Sequence, residues 1–144
     1  MKQYTSQNIK NVALAGHGNA GKTSLAEALL FISGATDRLG KTSEGNTVCD
    51  FDAEEIRRVS SVSTAVAPVE YKNTKINLID TPGLFDFEGG FREGTRPAES
   101  VLICVSGKSG VSVGTEKAYE LATKSAKAHM FYVSKLDRES ADFY

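Results

Sequence analysis

The sequence predicts one α/β domain of three layers, in which helices cover both faces of a mostly parallel sheet that has one antiparallel hairpin at its edge. Three observations predict this fold class. Apolar segments of strand length alternate with segments of helical periodicity along the 144 residues. Two consecutive strand segments are separated by a turn too short for a crossover, so they form an antiparallel hairpin. A glycine-rich loop joins the first strand to the first helix, and the parallel strands require right-handed crossovers.

The first strand is predicted at the apolar residues 12–15, and the first helix begins near Lys22. Gly34 is expected just beyond that helix, because glycine readily adopts the left-handed backbone found there. Residues 35–61 are polar, charged and without a period, which is typical of a long functional loop. The inner face of the helix is predicted from helical spacing to consist of Leu25, Ala28, Leu29 and Ile32.

The antiparallel hairpin is predicted in the middle of the chain. Its first strand covers residues 62–71, and Pro68 indicates an edge position because proline cannot donate to a strand ladder. Residues 72–74 form the turn, and residues 75–80 form the second strand.

The second half of the chain predicts a further helix and two strands. Residues 81–97 form a loop with some helix, and the apolar residues 101–105 form a strand buried on both faces. Thr115 is expected to cap the helix, and residues 130–133 form the last strand. The helix is expected to present a small-residue inner face of Ala118, Leu121, Ala122, Ser125 and Ala126.

Composition narrows the class of protein. The formal net charge is −1, so we expect no direct nucleic-acid patch in this chain. The apolar runs are far shorter than the ~20 residues of a membrane span, and the polar start is no signal peptide, so no membrane contact is expected. Cys104 lies in an apolar run and Cys49 in a polar stretch, and a disulfide between them is not expected. These features predict a reducing, cytoplasmic compartment.

The glycine-rich loop at residues 16–23 (GHGNAGKT) matches the phosphate-binding pattern G-x-x-x-x-G-K-[ST] of P-loop NTPases. Its glycines allow backbone N–H groups to point at phosphate oxygens, and the following helix adds positive potential. Lys22 is expected to reach the β- and γ-phosphates, and the Thr23 hydroxyl to bind Mg²⁺. The His17 side chain is expected at the surface. A loop that only packs tightly is the alternative, but it gives no reason for the Lys-Thr pair. The predicted nucleotide-binding residues of this region are Gly16, His17, Gly18, Asn19, Ala20, Gly21, Lys22, Thr23 and Ser24.

A second motif, Asp-Thr-Pro-Gly, follows the strand at residues 75–80. An aspartate at a strand end beside a phosphate loop, here Asp80, can hold Mg²⁺ through a water. The backbone N–H of Gly83 can meet a γ-phosphate. The alternative is an ordinary proline–glycine turn, but the position after a phosphate loop favours the nucleotide site.

A third motif, Ser134-Lys135-Leu136-Asp137, follows the last predicted strand. The carboxylate of Asp137 can accept two N–H groups from guanine, which adenine does not offer, and such sites discriminate by roughly 10⁴–10⁵. Lys135 is expected to lay its aliphatic stem against the base. The alternative is a solvated charged loop.

Together these motifs resemble the GTP-binding domain of translational GTPases, in particular elongation factor G and its tetracycline-resistance-like relatives. The resemblance covers nearly the whole chain: it includes residues 16–23, 50–69, 75–87 (KINLIDTPGLFDF), 107–111 and 134–144 (SKLDRESADFY). It implies a G domain of the P-loop NTPase class over residues 1–144, truncated before its last guanine-binding loop and final helix. It also implies Mg²⁺-dependent hydrolysis of GTP to GDP and phosphate, slow in the isolated domain, and a ribosome partner for the full-length protein.

The resemblance also assigns positions. Residues 35–61 become the first switch and residues 80–97 the second, and Ser61 stands where the family has its Mg²⁺-binding threonine. The implied metal ligands are Thr23, Ser61 and Asp80, and the implied catalytic residues are Lys22, Thr23 and Gly83. The charged run Glu54, Glu55, Arg57 and Arg58 is interpreted as a solvated face.

Four residues depart from the family pattern. Leu84 replaces the histidine that positions the attacking water, and leucine cannot hydrogen-bond water. Val59 replaces a glycine in the first switch. Ser134 replaces an asparagine, and its shorter hydroxyl can still reach backbone, although with less reach. Asn19 replaces an aspartate and is the residue found in potassium-activated GTPases, so a K⁺ ion beside the phosphates is a further hypothesis.

Two other functions remain open at this point. A GTPase of ribosome assembly or tRNA modification agrees somewhat better with Asn19 and Leu84. It agrees worse with residues 50–58 and 140–144 (SADFY). A nucleotide-dependent binding switch that barely hydrolyses fits the leucine after the Asp-Thr-Pro-Gly motif.

Overall fold

A computed structural model describes residues 2–83, 88–139 and 141 of the chain. Its strands are β1 (Ile9–Gly16), β2 (Ala65–Tyr71), β3 (Thr74–Asp80), β4 (Ser100–Ser106) and β5 (Ala128–Ser134). Its helices are α1 (Lys22–Ile32), α2 (Ala53–Arg58), α3 (Glu88–Thr95) and α4 (Val113–Lys124), with short 3-10 turns at Ser6–Asn8 and Thr42–Glu44. The sheet has the order β2-β3-β1-β4-β5. All neighbouring strands are parallel except the antiparallel pair β2 and β3, which confirms the predicted mixed sheet.

The central strand β1 is buried on both faces, because successive side chains point to opposite sides of the sheet. Ala13 and Ala15 pack with Ala118 of α4, and Leu14 packs with Leu30 of α1. The two clusters form separate cores on the two faces of the sheet, which confirms the three-layer arrangement. No helix within the described residues is long and apolar enough to cross a bilayer.

Helix α1 buries most deeply a stripe beside the predicted one. Ala26 and Leu30 are buried, and the predicted Leu25 and Leu29 are partly buried and pack against the same core cluster. Ile32 is 80% exposed, so the prediction was wrong for this residue. The buried positions also include Thr23 and Glu27, at the same helical spacing. Because Thr23 has to face the end of β3 to reach Asp80, the polar contact sets the rotation of the helix. Gly34 follows the helix with φ of 75°, as predicted.

The hairpin confirms the edge position of Pro68, which pairs with Asn77 on the one neighbouring strand of β2. Its turn consists of Lys72 and Asn73, whose φ angles are 43° and 62°. Two left-handed residues are typical of the turn that fits the twist of a tight hairpin. Thr74 already belongs to β3, so the predicted turn was one residue too long.

Helix α4 begins earlier and ends earlier than predicted. Its N-cap is Ser112, whose hydroxyl lies 3.1 Å from that of Thr115, and Thr115 is itself buried inside the first turn. Ala118 is buried as predicted. Ser125 is the C-cap and Ala126 has φ of 50°, so these two residues do not extend the inner face.

Residues 35–61 are more ordered than predicted, since they contain the 3-10 turn and α2. Cys49 and Cys104 are both buried free thiols, which agrees with the prediction of no disulfide. Burial raises the pKa of Cys104 to about 12, so this thiol stays protonated at neutral pH.

Candidate functional site

The glycine-rich loop bends sharply between β1 and α1. Gly16 and Gly21 have φ of 131° and 92°, which favour glycine. A Cβ on Gly16 would also collide with the carbonyl oxygen of Cys104 on β4. The buried Lys22 ammonium donates to the carbonyl oxygen of His17 at 2.9 Å and lies across the mouth of the loop. Burial lowers the pKa of Lys22, and the negative charge of Asp80 opposes that effect.

Two hydroxyls and one carboxyl meet at the end of β3. The Thr23 hydroxyl donates to Oδ2 of Asp80 at 2.7 Å and lies 3.1 Å from the Ser61 hydroxyl. Oδ1 of Asp80 is buried and has no hydrogen-bond partner within the described part of the chain. Burial raises the pKa of Asp80 to about 6, against the opposing effects of the Thr23 hydrogen bond and Lys22. The structure thus brings the three predicted metal ligands together in an all-oxygen cluster.

Asp50 belongs to the same cluster, although no motif in the sequence singled it out. Its side chain is buried, and its Oδ1 has no hydrogen-bond partner among the residues described. Burial raises the pKa of Asp50, and a hydrogen bond with Ser61 partly lowers it. The local sequence did not mark Asp50 for burial, since its neighbour Phe51 is itself 76% exposed.

Gly83 lies directly against the phosphate loop. A Cβ at this position would collide with Nζ of Lys22 and lie 2.7 Å from the backbone nitrogen of Gly18. Only a residue without a side chain fits here, so the backbone of the Asp-Thr-Pro-Gly motif packs against the phosphate loop. Leu84, the departure that bears on water positioning, lies outside the described residues.

The prediction of a surface side chain for His17 was wrong. His17 is half-buried, and a Cβ on Gly114 at the start of α4 would lie 2.8 Å from its Nδ1. The missing side chain of Gly114 makes room for the imidazole, which is a long-range contact that the local pattern does not encode.

The last residue of β5 and the residue after it contact the phosphate loop through their side chains. The Ser134 hydroxyl donates to the carbonyl oxygen of Ala20 at 2.7 Å, which confirms that this serine reaches backbone. The Lys135 ammonium donates to the carbonyl oxygen of Asn19 at 2.6 Å. The Asp137 side chain is 79% exposed and is open to solvent.

Helix α2 carries both exposed and buried charge. Glu54 forms exposed ion pairs with Arg57 and Arg58, as the interpretation of a solvated face predicted. That interpretation was wrong for Glu55, which is buried and bonds backbone amides. Val59 ends the helix with φ of 51° and ψ of 42°, the left-handed conformation for which the family pattern has glycine.

The phosphate loop, parts of residues 42–61 and two residues after β5 line a cavity of about 350 Å³ that is open to solvent. This volume falls in the range of small-ligand pockets. The cavity is also lined by residues for which the sequence predicted no contact with a nucleotide. These are Thr42, Ser43, Asp50, Val59, Ser60 and Arg138.

Comparison with known proteins identifies relatives over nearly the whole chain. The family described as the elongation factor Tu GTP binding domain matches residues 7–144. An elongation factor G-like protein of Mycobacterium tuberculosis is 39% identical over 135 residues, which cover 94% of this chain and 19% of that protein. Ribosome-releasing factor 2, mitochondrial, of Anopheles gambiae is 34% identical over 139 residues, which cover 96% and 19%. The chain therefore spans about a fifth of the length of these curated relatives.

Solved structures give the same result for the fold. A crystal structure of a protein from Thermus thermophilus matches with a TM-score of 0.91 and 40% identity, covering 94% of this chain and 20% of that one. A bacterial selenocysteine-specific elongation factor matches with a TM-score of 0.71 and 23% identity, covering 89% and 20%, which is a likeness of fold alone.

Proposed function

Because the chain belongs to the family of elongation factor Tu GTP-binding domains, we propose that it binds GTP with Mg²⁺ and hydrolyses it to GDP and phosphate. We propose further that it does so as part of a cytoplasmic, elongation factor G-like protein that acts on the ribosome. The observation that carries this proposal is the meeting of Thr23, Ser61 and Asp80 beside the buried Lys22 ammonium.

The phosphates of the nucleotide would bind at the glycine-rich loop. Lys22 supplies a buried positive charge, and its present acceptors are backbone carbonyls of the loop that a phosphate can replace. The loop amides and the N-terminus of α1 add positive potential. Since phosphoryl transfer leaves little covalent chemistry to the protein, these groups and Gly83 would provide the charge stabilisation and positioning.

The oxygen cluster fits Mg²⁺, which prefers hard oxygen ligands and keeps several waters. Thr23 and Ser61 would offer hydroxyl oxygens, and Asp80 and Asp50 each have a buried carboxyl oxygen without a partner among the described residues. When bound, the ion neutralises negative charge on the phosphate oxygens. The buried carboxyl oxygens and the raised pKa values of both aspartates are consistent with a site that a bound cation would stabilise.

Guanine would be recognised by Asp137, with the Lys135 stem against the base. The exposed Asp137 carboxyl can accept hydrogen bonds, and Lys135 lies at the rim of the cavity. Hydrolysis by the isolated domain is expected to be slow, because Leu84 cannot orient a water and the ribosome is absent.

The proposal is tested by titrating fluorescent GTP, GDP and ATP analogues into the chain with and without Mg²⁺. We expect guanine nucleotides to bind far more tightly than ATP, and Mg²⁺ to increase the affinity for GTP. Equal binding of ATP would refute the role of Asp137, and affinities independent of Mg²⁺ would refute the metal site.

Two alternatives can be separated by kinetics. Single-turnover hydrolysis that ribosomes do not stimulate, with no detectable turnover, favours a non-hydrolysing switch. Phosphate release that is faster in K⁺ than in Na⁺ favours the potassium-activated class of assembly and tRNA-modification GTPases, for which Asn19 is the supporting residue. Equal rates in the two salts would refute the potassium hypothesis for Asn19.

A further inference from the structure

Two buried glutamates bind the backbone of the first switch. Glu27 lies on α1 one turn after Thr23 and is only 1% exposed. Its Oε1 accepts the backbone N–H groups of Val48 at 2.7 Å and Cys49 at 3.3 Å. The next residue along the chain is Asp50, so this carboxyl fixes the backbone that presents Asp50 to the oxygen cluster.

The Glu27 carboxyl is also enclosed on its other side. A Cβ on Gly40 would collide with Oε2 of Glu27 and lie 3.1 Å from Cα of Thr47. The backbone at Gly40 therefore packs directly on the carboxyl. Two separate stretches of the first switch thus converge on one side chain of α1.

Glu55 performs the corresponding task at the other end of the switch. It is 2% exposed, and its Oε1 accepts the N–H groups of Val62 and Ser63, each at 3.0 Å. Its Oε2 accepts the N–H of Asp52 at 3.2 Å, the contact of an ordinary capping box. The bonds to residues 62–63 go beyond capping, since they fix the backbone immediately after Ser61.

We propose that Glu27 and Glu55 are positioning residues for the metal site: through these amides they hold Asp50 and Ser61 beside Thr23 and Asp80. This inference rests on the proposed function. Neither glutamate supplies a ligand, and each acts on the residue next to a ligand. A buried carboxyl needs hydrogen-bond donors, and here switch amides provide them. Loss of such outer contacts typically lowers metal affinity roughly 10–100-fold.

The experiment compares Glu27→Gln and Glu55→Gln with matched exposed controls, Glu120→Gln on α4 and Glu54→Gln on α2. The carboxamide keeps the shape of the side chain but is a weaker acceptor and brings N–H donors where amides already point. Residue-resolved amide hydrogen exchange is measured on the chain without nucleotide. The Mg²⁺ dependence of the dissociation of a fluorescent, non-hydrolysable GTP analogue is measured in parallel.

We expect Glu27→Gln to accelerate exchange at residues 48–49 and Glu55→Gln at residues 62–63, with the controls unchanged. We also expect both variants to raise the Mg²⁺ concentration of half-maximal nucleotide retention about 10-fold. Faster local exchange with an unchanged Mg²⁺ midpoint would overturn the proposal, because it indicates a structural role only. If either Gln variant fails to fold, Glu27→Asp and Glu55→Asp, which withdraw the carboxyl by one methylene, are read by the same two criteria. A parent chain with no Mg²⁺ dependence would instead refute the proposed function.

Discussion

Val59 ends α2 in a backbone conformation that valine rarely adopts, with φ of 51° and ψ of 42°. The left-handed region costs an L-residue about 1–2 kcal/mol, and a β-branched side chain lies at the upper end of that range. Glycine at this position would relieve the strain. However, glycine loses more conformational entropy on folding, which costs about 0.5–1 kcal/mol. Because Val59 is 47% exposed, we assign roughly 0.5 kcal/mol to the apolar contact that is lost. Val59→Gly should therefore raise the free energy of unfolding by about 0.5 kcal/mol.

The matched control is Val111→Gly, the same chemical change at a valine that is 69% exposed and does not have positive φ. Without strain to relieve, this variant should lower the free energy of unfolding by about 1 kcal/mol. The difference between the two variants, about 1.5 kcal/mol, is measurable in urea melts followed by circular dichroism. The strain argument is wrong if Val59→Gly is no more stable than Val111→Gly.

Three further variants test the site. Asp80→Asn should stabilise the nucleotide-free chain at pH 7. In the folded chain the pKa of Asp80 is raised from 3.8 to about 6. The Asp80 carboxyl group therefore favours folding fully below pH 3.8 and loses that contribution as the pH rises through 6. The gain, about 1–3 kcal/mol in urea melts at pH 7, should vanish near pH 4, and Mg²⁺-dependent retention of GTP should be lost. Asp137→Asn should weaken GTP binding about 10–100-fold while leaving ATP binding unchanged, because the amide replaces one acceptor by a donor; a parallel loss for both nucleotides would contradict guanine recognition. Gly16→Ala should prevent folding or lower the melting temperature sharply, since its Cβ collides with Cys104 backbone at φ of 131°; a melting temperature like that of the parent would contradict this geometry.

Features encoded by local spacing were predictable from the sequence. The phosphate loop follows from the spacing of Gly16, Gly21 and Lys22, and the edge hairpin follows from Pro68 and the short turn after it. The alternation of strands and helices predicted the mixed sheet, because each element has its own apolar period. These features need only a few consecutive residues to be recognised.

Features that depend on distant partners were not predictable. Glu27 was missed because its acceptor role needs amides 21 and 22 positions away in a segment without a period. Glu55 was wrongly predicted to be solvated because its neighbours Glu54 and Arg58 are exposed. Its hydrogen bonds to the backbone of residues 62–63 form only when the chain folds back after α2. The most deeply buried stripe of α1 was not predicted for the same reason, since Thr23 is held by Asp80, 57 residues along the chain.

The hydrogen bonds from Ser134 to Ala20 and from Lys135 to Asn19 join the end of β5 and the residue after it to the phosphate loop. The base and the phosphates of a bound nucleotide would therefore contact two sites at a set separation. The domain would select nucleotides in which the distance from base to phosphate matches that separation. A guanine nucleotide with an acyclic sugar, or with an added methylene before the phosphates, would have a different distance from base to phosphate. It could then contact the base site or the phosphate site, but not both. Because one domain would carry both contacts, the base and the triphosphate should bind together more tightly than their separate affinities suggest.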